Sequence, residues 1–536
     1  MRKRLLLLAL IPGAVHAAPP RLIIAISVDQ FSADLFDEYR GSFSGGLARM
    51  ASGMVFRNGY QGHAATETCP GHSTILTGDR PARTGIIANS WFDPAAARAD
   101  KQIYCAEDER APGSTFEHYT VSPIHLRVPT LGERMKARWP ISRTIAVSGK
   151  DRAAVMMSGQ RPDQRWYWDG QRFVTDLAPG SAPPQRVAAV NAVAARLLAA
   201  PGAALPAVPA CTSRATPVTL SDGQPLGGAR LARAAGDAAA FRATPALDGL
   251  TIALAAALID DLGLGEGRAP DLVAVSLSAT DYVGHRYGTE GEEMCLQLLS
   301  LDRDLGGLLR LLDQWKLDYA VVLTADHGGA DVPERARLKG AIDAARVDPA
   351  LAPAAMGKTL AAKFGLAASP LTGSGPFGDL YVDRALAPPL RARVLVAALA
   401  AYRAHPQVAA VFTRDQLART PLPTTSPVGW TLAERARASF DAERSGDLVV
   451  LLKPRITPIA KPAAGYVATH GSAWDYDRRV PILFWRPGIA ATASDAPVET
   501  IDIAPTLAAI LGLPIDRGAM DGRCLPQVAG ATCPGP

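Results

Sequence analysis

Four short apolar runs, each closing on a charged side chain, constrain the fold more than anything else in the sequence. Arg21–Val28 (RLIIAISV) runs into Asp29, and Arg143–Ser148 (RTIAVS) into Lys150. Asp271–Leu277 (DLVAVSL) runs towards Asp281, and Tyr319–Thr324 (YAVVLT) into Asp326 and His327. Runs this short and apolar, without alternation, suit strands buried on both faces, the habit of parallel sheets. The segments between them read as helices: Arg186–Ala200 and Thr251–Leu262 are apolar-rich, and Glu292–Trp315 places Leu at helical spacing. Strand alternating with helix predicts an α/β fold, a central and mostly parallel sheet with helices on both faces. Ligands of such sheets bind outside the carboxyl ends of the strands. One charged residue after a strand is ordinary loop chemistry. Five after four strands predict a site there.

Two stretches leave this pattern. Residues 201–244 are rich in Ala, Pro and Gly and read as an irregular insertion. Residues 331–464 carry their own alternation: strands at Leu380–Val382, Val408–Phe412 and Leu448–Leu452, and a helix at Leu390–Ala404. They are expected to form an inserted α+β cap over the site. The N-terminus has basic Arg2–Arg4, apolar Leu5–Ile11 and a small-residue stretch to Ala18. This is the pattern of a secretory signal of residues 1–17, leaving residues 18–536 as the catalytic domain. The apolar run is too short to span a bilayer. Later, Leu250–Leu264 is interrupted by Asp260 and Asp261. A periplasmic or secreted protein without a membrane span is therefore expected, acting as a monomer.

Charge and cysteine usage narrow the partners. The formal net charge is +5, from 56 Lys+Arg against 51 Asp+Glu, and Arg2, Lys3 and Arg4 supply three of the cations. That balance gives no electrostatic footprint for nucleic acid. Six cysteines in an exported chain suggest disulfides. Cys524 with Cys533 would close a short loop, and Cys69 with Cys105 and Cys211 with Cys295 would follow. Cys69 lacks an activating partner, so it reads as a staple rather than a nucleophile.

The stretch from Thr66 to Gly78 (TETCPGHSTILTG) reads as a turn feeding a short helix. Thr68 is placed at the N-cap, Pro70 in the first turn and Gly78 at the stop. Taken alone, Thr68 only caps a helix. Its hydroxyl would also face the positive end of the helix dipole, a place that favours a phosphate or the oxygen's own alkoxide.

Metal ligands are legible as a set rather than singly. Asp281 and His285 are four apart and share one helical face. Asp326-His327-Gly328-Gly329 follows an apolar strand, His470 lies in Thr469-His470-Gly471-Ser472, and Asp29 completes the set. Three Asp and three His suit Zn²⁺ and suffice for two sites that share a substrate or nucleophile oxygen. His72 reads as a brace for the helix start, not a ligand.

These residues resemble the alkaline phosphatase superfamily. Thr68-Cys69-Pro70-Gly71-His72 followed by Gly85-Ile86-Ile87-Ala88-Asn89 is similar to the nucleophile region of nucleotide pyrophosphatase/phosphodiesterases. Asp281-x-x-x-His285, Asp326-His327-Gly328 and His470-Gly471 look like the superfamily's ligands in the expected order. Lys150-Asp151-Arg152 resembles the Lys-x-Arg signature of the threonine-nucleophile, phosphate-irrepressible (PafA-like) branch. The resemblance spans nearly the whole mature chain and implies an alkaline-phosphatase-like sandwich.

It also implies roles. Asp281, His285 and His470 would hold one zinc, and Asp29, Asp326, His327 and the Thr68 oxygen a second. Thr68 would attack phosphorus and form a phosphothreonine, with Asn89, Lys150 and Arg152 contacting the phosphoryl oxygens. If residues 150–152 were extended, Lys150 and Arg152 would point the same way and favour the doubly charged monoester. The implied activity is hydrolysis of small phosphate esters to inorganic phosphate, with an alkaline optimum. The alternative is a phosphodiesterase or nucleotide pyrophosphatase on the same scaffold. Cys69-Pro70 lacks the Arg of the Cys-x-Pro-x-Arg motif of sulfatases. A non-catalytic zinc or phosphate binder would not need the nucleophile set.

Overall fold

The computed structural model describes residues 18–533, so the signal segment of residues 1–17 lies outside the described residues. Its centre is a nine-stranded sheet. Five adjacent strands run parallel, in the order Tyr319–Thr324, Leu22–Val28, Asp271–Leu277, Thr144–Ser148 and Gln164–Trp168. All seven residues of Leu22–Val28 are buried, and Ile24 pairs with Val273 on one side and Val321 on the other. Burying one such aliphatic side chain contributes about 1.5–3 kcal/mol, which explains runs with no polar face. The sheet turns antiparallel at its flanks, through Ile482–Trp485 against Tyr319–Thr324 and Phe173–Val174 against Gln164–Trp168. The strands expected at Arg21 and Arg143 begin one residue later, because each arginine lies at the sheet rim.

Helices cover both faces of the sheet. Gln185–Ala199 packs on Pro245–Leu262, which packs on Glu292–Gln314. Pro245–Leu262 starts earlier than its apolar run because Pro245 sits at the first helical turn, where its missing N–H costs nothing. Thr68–Thr77 and Asp151–Ser158 pack together and carry the loops that matter for the site.

Residues 201–244 hold a 3₁₀ turn at Pro209–Arg214, a two-residue hairpin pairing Val218–Thr219 with Pro225–Leu226, and a short helix at Ala238–Phe241. Within 331–464, a second, antiparallel sheet has the order Leu371–Gly373, Gly378–Val382, Leu448–Leu452, Val408–Thr413. Pro388–Ala404 lies against it, and Leu380, Val394, Tyr402 and Val450 belong to an apolar cluster separate from that of the main sheet.

Three disulfides form in the expected pairing. Cys69–Cys105 anchors the first turn of the Thr68 helix, Cys211–Cys295 ties the irregular insertion to the Glu292–Gln314 helix, and Cys524–Cys533 closes a C-terminal loop.

One buried carboxyl sets the start of the helix that carries Asp281 and His285. Asp248 accepts the Ala279 backbone N–H at 2.9 Å and an amide hydrogen of Gln297 at 2.9 Å. Burial pushes its carboxyl up to about 7. The folded chain therefore keeps a proton that the unfolded chain releases near pH 4, so this group lowers stability as pH rises from about 4 to about 7. In Asp248→Asn that penalty disappears. The Gln297 amide can turn to accept from the new side chain, since its Oε1 has no partner. Thermal melts at pH 5 and pH 8 should show the variant gaining on the wild type at the higher pH, by at most about 3 kcal/mol. A gap that does not change with pH would remove the assignment.

Candidate active site and metal centre

Asp29, Lys150, Asp281, Asp326 and His327 all leave the carboxyl ends of adjacent parallel strands and meet at one point. His470 arrives from a late loop, and its ring stacks on that of His327 with centroids 3.6 Å apart. Two groups of three ligand atoms each fit within 4.8 Å: Asp281, His285 and His470, and Asp29, Asp281 and His327. The first is the expected first triad. The second has Asp281 where Asp326 was expected, although Asp326 Oδ2 lies 3.3 Å from His327 Nε2.

The donor set fits metal ions. Asp29 Oδ1, Asp281 Oδ1 and His327 Nε2 are buried without a hydrogen-bond partner, while Asp29 Oδ2 meets Lys150 Nζ at 2.6 Å and Asp326 Oδ2 meets His72 Nδ1 at 3.1 Å. Unsatisfied buried polar atoms cost about 1–3 kcal/mol each and more when charged, so these three converging lone-pair atoms call for a cation. The imidazoles are oriented for the same purpose. His285 Nδ1–H donates to the Ala468 carbonyl, His327 Nδ1–H to Gly328 and His470 Nδ1–H to Thr66, each at 2.8 Å. A carbonyl only accepts, so Nδ1 holds the proton and Nε2 faces the site with a lone pair. Burial pushes the His327 and His470 rings down, so both are neutral, as ligands must be.

Lys150 Nζ sits 2.6 Å from Asp29 Oδ2 and 2.5 Å from Asp281 Oδ2, with its side chain almost fully buried. Burial works against the ammonium, yet Asp281 and Asp29 hold its pKa above the usual lysine value. Burial likewise works against ionised Asp281, but His285 and Lys150 outweigh it and hold that carboxyl well down. Burial, followed by the charge of Asp326, pushes Asp29 up.

The Thr68 helix corrects the sequence reading by one residue. Glu67 is the N-cap, extended at φ −122° and ψ 163°, and Thr68 is the first helical residue. The helix reaches one residue further because the Cys69 N–H is capped from outside: Asn89 Oδ1 accepts it at 2.8 Å. The Thr68 hydroxyl is thus not consumed by capping. Arg152 Nη2 approaches it at 3.4 Å. Glu67 Oε2 accepts the Asn89 backbone N–H at 2.6 Å, so Glu67 and Asn89 clamp each other and leave the Asn89 NH₂ free. The helix can approach the Asp326 strand end only because residue 71 is glycine, where a Cβ would stand 2.0 Å from the Asp326 carbonyl oxygen. Both His72 nitrogens are engaged. Nδ1–H lies 2.9 Å from the Thr68 carbonyl and 3.1 Å from Asp326 Oδ2, and Nε2 lies 2.9 Å from Ser276 Oγ.

Residues 150–152 are not extended. Lys150 is the N-cap of Asp151–Ser158, so Arg152 is already on the helix. The two cations therefore diverge. Lys150 enters the carboxylates and Arg152 turns to Thr68, because a helix separates positions two apart by more than half a turn. Sequence reasoning missed the residues that aim Arg152. Tyr104 and Tyr119 each donate a hydroxyl hydrogen to Asp151, at 2.8 Å to Oδ1 and Oδ2, and Arg152 Nη1 reaches Tyr104 Oη at 3.5 Å. No local signal links tyrosines that far along the chain to Arg152. Glu67, adjacent to Thr68, was within reach of motif reading.

Residues 23–473 match the family described as Type I phosphodiesterase / nucleotide pyrophosphatase. Among curated proteins, alkaline phosphatase PhoK of Sphingomonas sp is 52% identical over 520 residues, covering 96% of this chain and 93% of that protein. Alkaline phosphatase PhoD of Zymomonas mobilis is 51% identical over 519 residues, covering 96% of this chain and 89% of that protein. Among solved structures, wild-type alkaline phosphatase PafA superposes with a TM-score of 0.82 at 26% identity, covering 96% of this chain and all of that one. The chain belongs to the type I phosphodiesterase/nucleotide pyrophosphatase family. Within the alkaline phosphatase superfamily it takes the PafA-like place that its motifs predicted.

Proposed function

We propose that this protein is an exported alkaline phosphatase that hydrolyses phosphate monoesters through a phosphothreonine on Thr68. The observation that carries the reading is the association of three things, tied together by His72, whose Nδ1–H reaches both the Thr68 carbonyl and Asp326 Oδ2. They are a buried hydroxyl at a helix start, a guanidinium 3.4 Å from it, and a cluster of orphaned metal-ligand atoms. The relatives named alkaline phosphatase support it.

Asp281, His285 and His470 would hold one zinc, and Asp29, Asp326 and His327 with the Thr68 oxygen the other, Asp281 being close enough to serve both. Bound there, zinc would lower the pKa of the attacking oxygen and neutralise charge on the departing one. The chain does the rest. The positive end of the helix dipole and Arg152 favour negative charge at Thr68. Thr68 Oγ1 bonds to phosphorus as the ester oxygen leaves in line. Asn89 and Arg152 bind the equatorial oxygens through the transition state. Lys150 neutralises Asp29 and Asp281 and adds positive charge to the phosphoryl site. Water then cleaves the phosphothreonine, releasing inorganic phosphate and restoring Thr68. Residues 331–464 cap this site in the proposed arrangement, and the enzyme acts as a monomer at neutral to alkaline pH. Disulfides suit the exported compartment. Among the described residues no helix is long and apolar enough to cross a membrane.

A diesterase on the same scaffold is the second reading, favoured by the name of the matched family. Metal analysis and rates on one purified sample decide between them. We expect two zinc ions per chain and faster turnover of phenyl phosphate than of its methyl diester. Dialysis against a chelator should remove metal and activity together, and added Zn²⁺ should restore both. Strong diester preference would overturn the monoesterase reading, and full activity without metal would overturn the zinc assignment.

A further inference from the structure

The cavity over the site, roughly 520 Å³, has a lining of two kinds. One part is polar and reactive: Glu67, Asn89, Arg152, His285 and His470. The other part comes from residues 374–377, Pro458, Tyr466 and Thr469, and carries no charged side chain. Two rings dominate that second part. Tyr466 lies beside His285 with ring centroids 5.0 Å apart and is 46% exposed, and its hydroxyl donates to Thr469 Oγ1 at 3.2 Å. Phe377 is half-buried, with its ring edge over Gly471, next to His470; a Cβ on that glycine would stand 2.9 Å from the ring tip.

In-line displacement places the departing oxygen opposite the attacking one. With Thr68 on the side of Asp29, Asp326 and His327, as proposed above, the departing oxygen would face His285 and His470, which line one cavity with both rings. An uncharged wall offers nothing to a second phosphate or carboxylate. An exposed ring gains most from an apolar or flat partner.

We propose that Phe377 and Tyr466 form a specificity wall that receives the leaving group, selecting monoesters of uncharged aromatic or other flat apolar alcohols. This inference rests on the monoesterase reading. Its test compares benzyl phosphate with methyl phosphate, which share an alkoxide leaving oxygen and differ in the ring. The benzyl-to-methyl ratio of kcat/KM should fall about tenfold in Phe377→Ala/Tyr466→Ala, the scale of one aromatic contact. Tyr466→Phe should keep the wild-type ratio, because the ring and not the hydroxyl is required. Phe377→Leu should lower it by a smaller factor, and reads the same quantity if the double variant does not fold. Inhibition by inorganic phosphate should stay within about twofold throughout, showing an intact phosphoryl site. An unchanged ratio in folded variants, or an equal loss for both esters, would overturn the proposal. Failure of the wild type to hydrolyse either monoester would instead overturn the parent reading.

Discussion

Thr68→Ala should reduce kcat/KM for a monoester by a factor on the order of 10⁴–10⁶, the range seen when a covalent nucleophile is deleted while charge stabilisation remains. The loss should fall on kcat. Asn89 and Arg152 still bind the phosphoryl group, so phosphate inhibition should survive. Thr68→Ser should retain most activity, because it keeps an oxygen on the same first helical residue. Acid-quenched reactions with ³²P-labelled substrate should trap a phosphoprotein in the wild type and in Thr68→Ser, and none in Thr68→Ala. Equal turnover in Thr68→Ala would refute the nucleophile assignment. The size of the effect follows from the fold. The two nearest hydroxyls in the same stretch of chain are occupied elsewhere: Thr66 donates to the Ser472 carbonyl at 2.7 Å and Ser73 to the Pro70 carbonyl at 2.8 Å.

The second large effect concerns substrate choice. Arg152→Ala should lower monoester kcat/KM by about 10²–10³, the cost of one preorganised charge-stabilising donor. The methyl diester, with one non-bridging charge fewer, should lose distinctly less. The measured quantity is the monoester-to-diester ratio, and a ratio unmoved by the substitution would show that Arg152 does not read the extra charge. Tyr104→Phe should reproduce a weaker version, since it releases both Asp151 and the guanidinium it steadies. Lys150→Ala should behave differently. Lys150 is buried between Asp29 and Asp281, and removing one partner of a buried ion pair costs about 3–5 kcal/mol. Metal-free Lys150→Ala should therefore melt well below metal-free wild type. The contrast separates a cation that meets substrate from one that also holds the carboxylates together.

Much of this molecule was legible in the sequence. The Asp271–Leu277, Tyr319–Thr324 and Leu448–Leu452 strands have the expected bounds, and the others shift by a residue or two. The three cysteine pairs form as expected. The strands are local features, since a strand buried on both faces must be apolar throughout. Of the cysteine pairs only Cys524–Cys533, nine residues apart, closes a local loop; Cys211–Cys295 spans 84 residues. The site was legible for a related reason, because strand ends in a parallel sheet converge and the residues that follow them meet.

Other features depend on partners far along the chain. Thr68 was expected to be an N-cap, yet Asn89 caps that helix start and frees the hydroxyl. Lys150 and Arg152 were expected to point the same way, yet a helix begins between them and sends one to the carboxylates and the other to the Thr68 hydroxyl. Tyr104 and Tyr119 gave no sign of their role, since hydrogen bonds across folded elements leave no periodicity in sequence. The sequence by itself determined the buried strands and which chemistry-bearing residues follow them, because burial and strand polarity are written residue by residue. The direction of each side chain was decided only by the tertiary structure, because direction depends on which long-range partner satisfies each buried polar group.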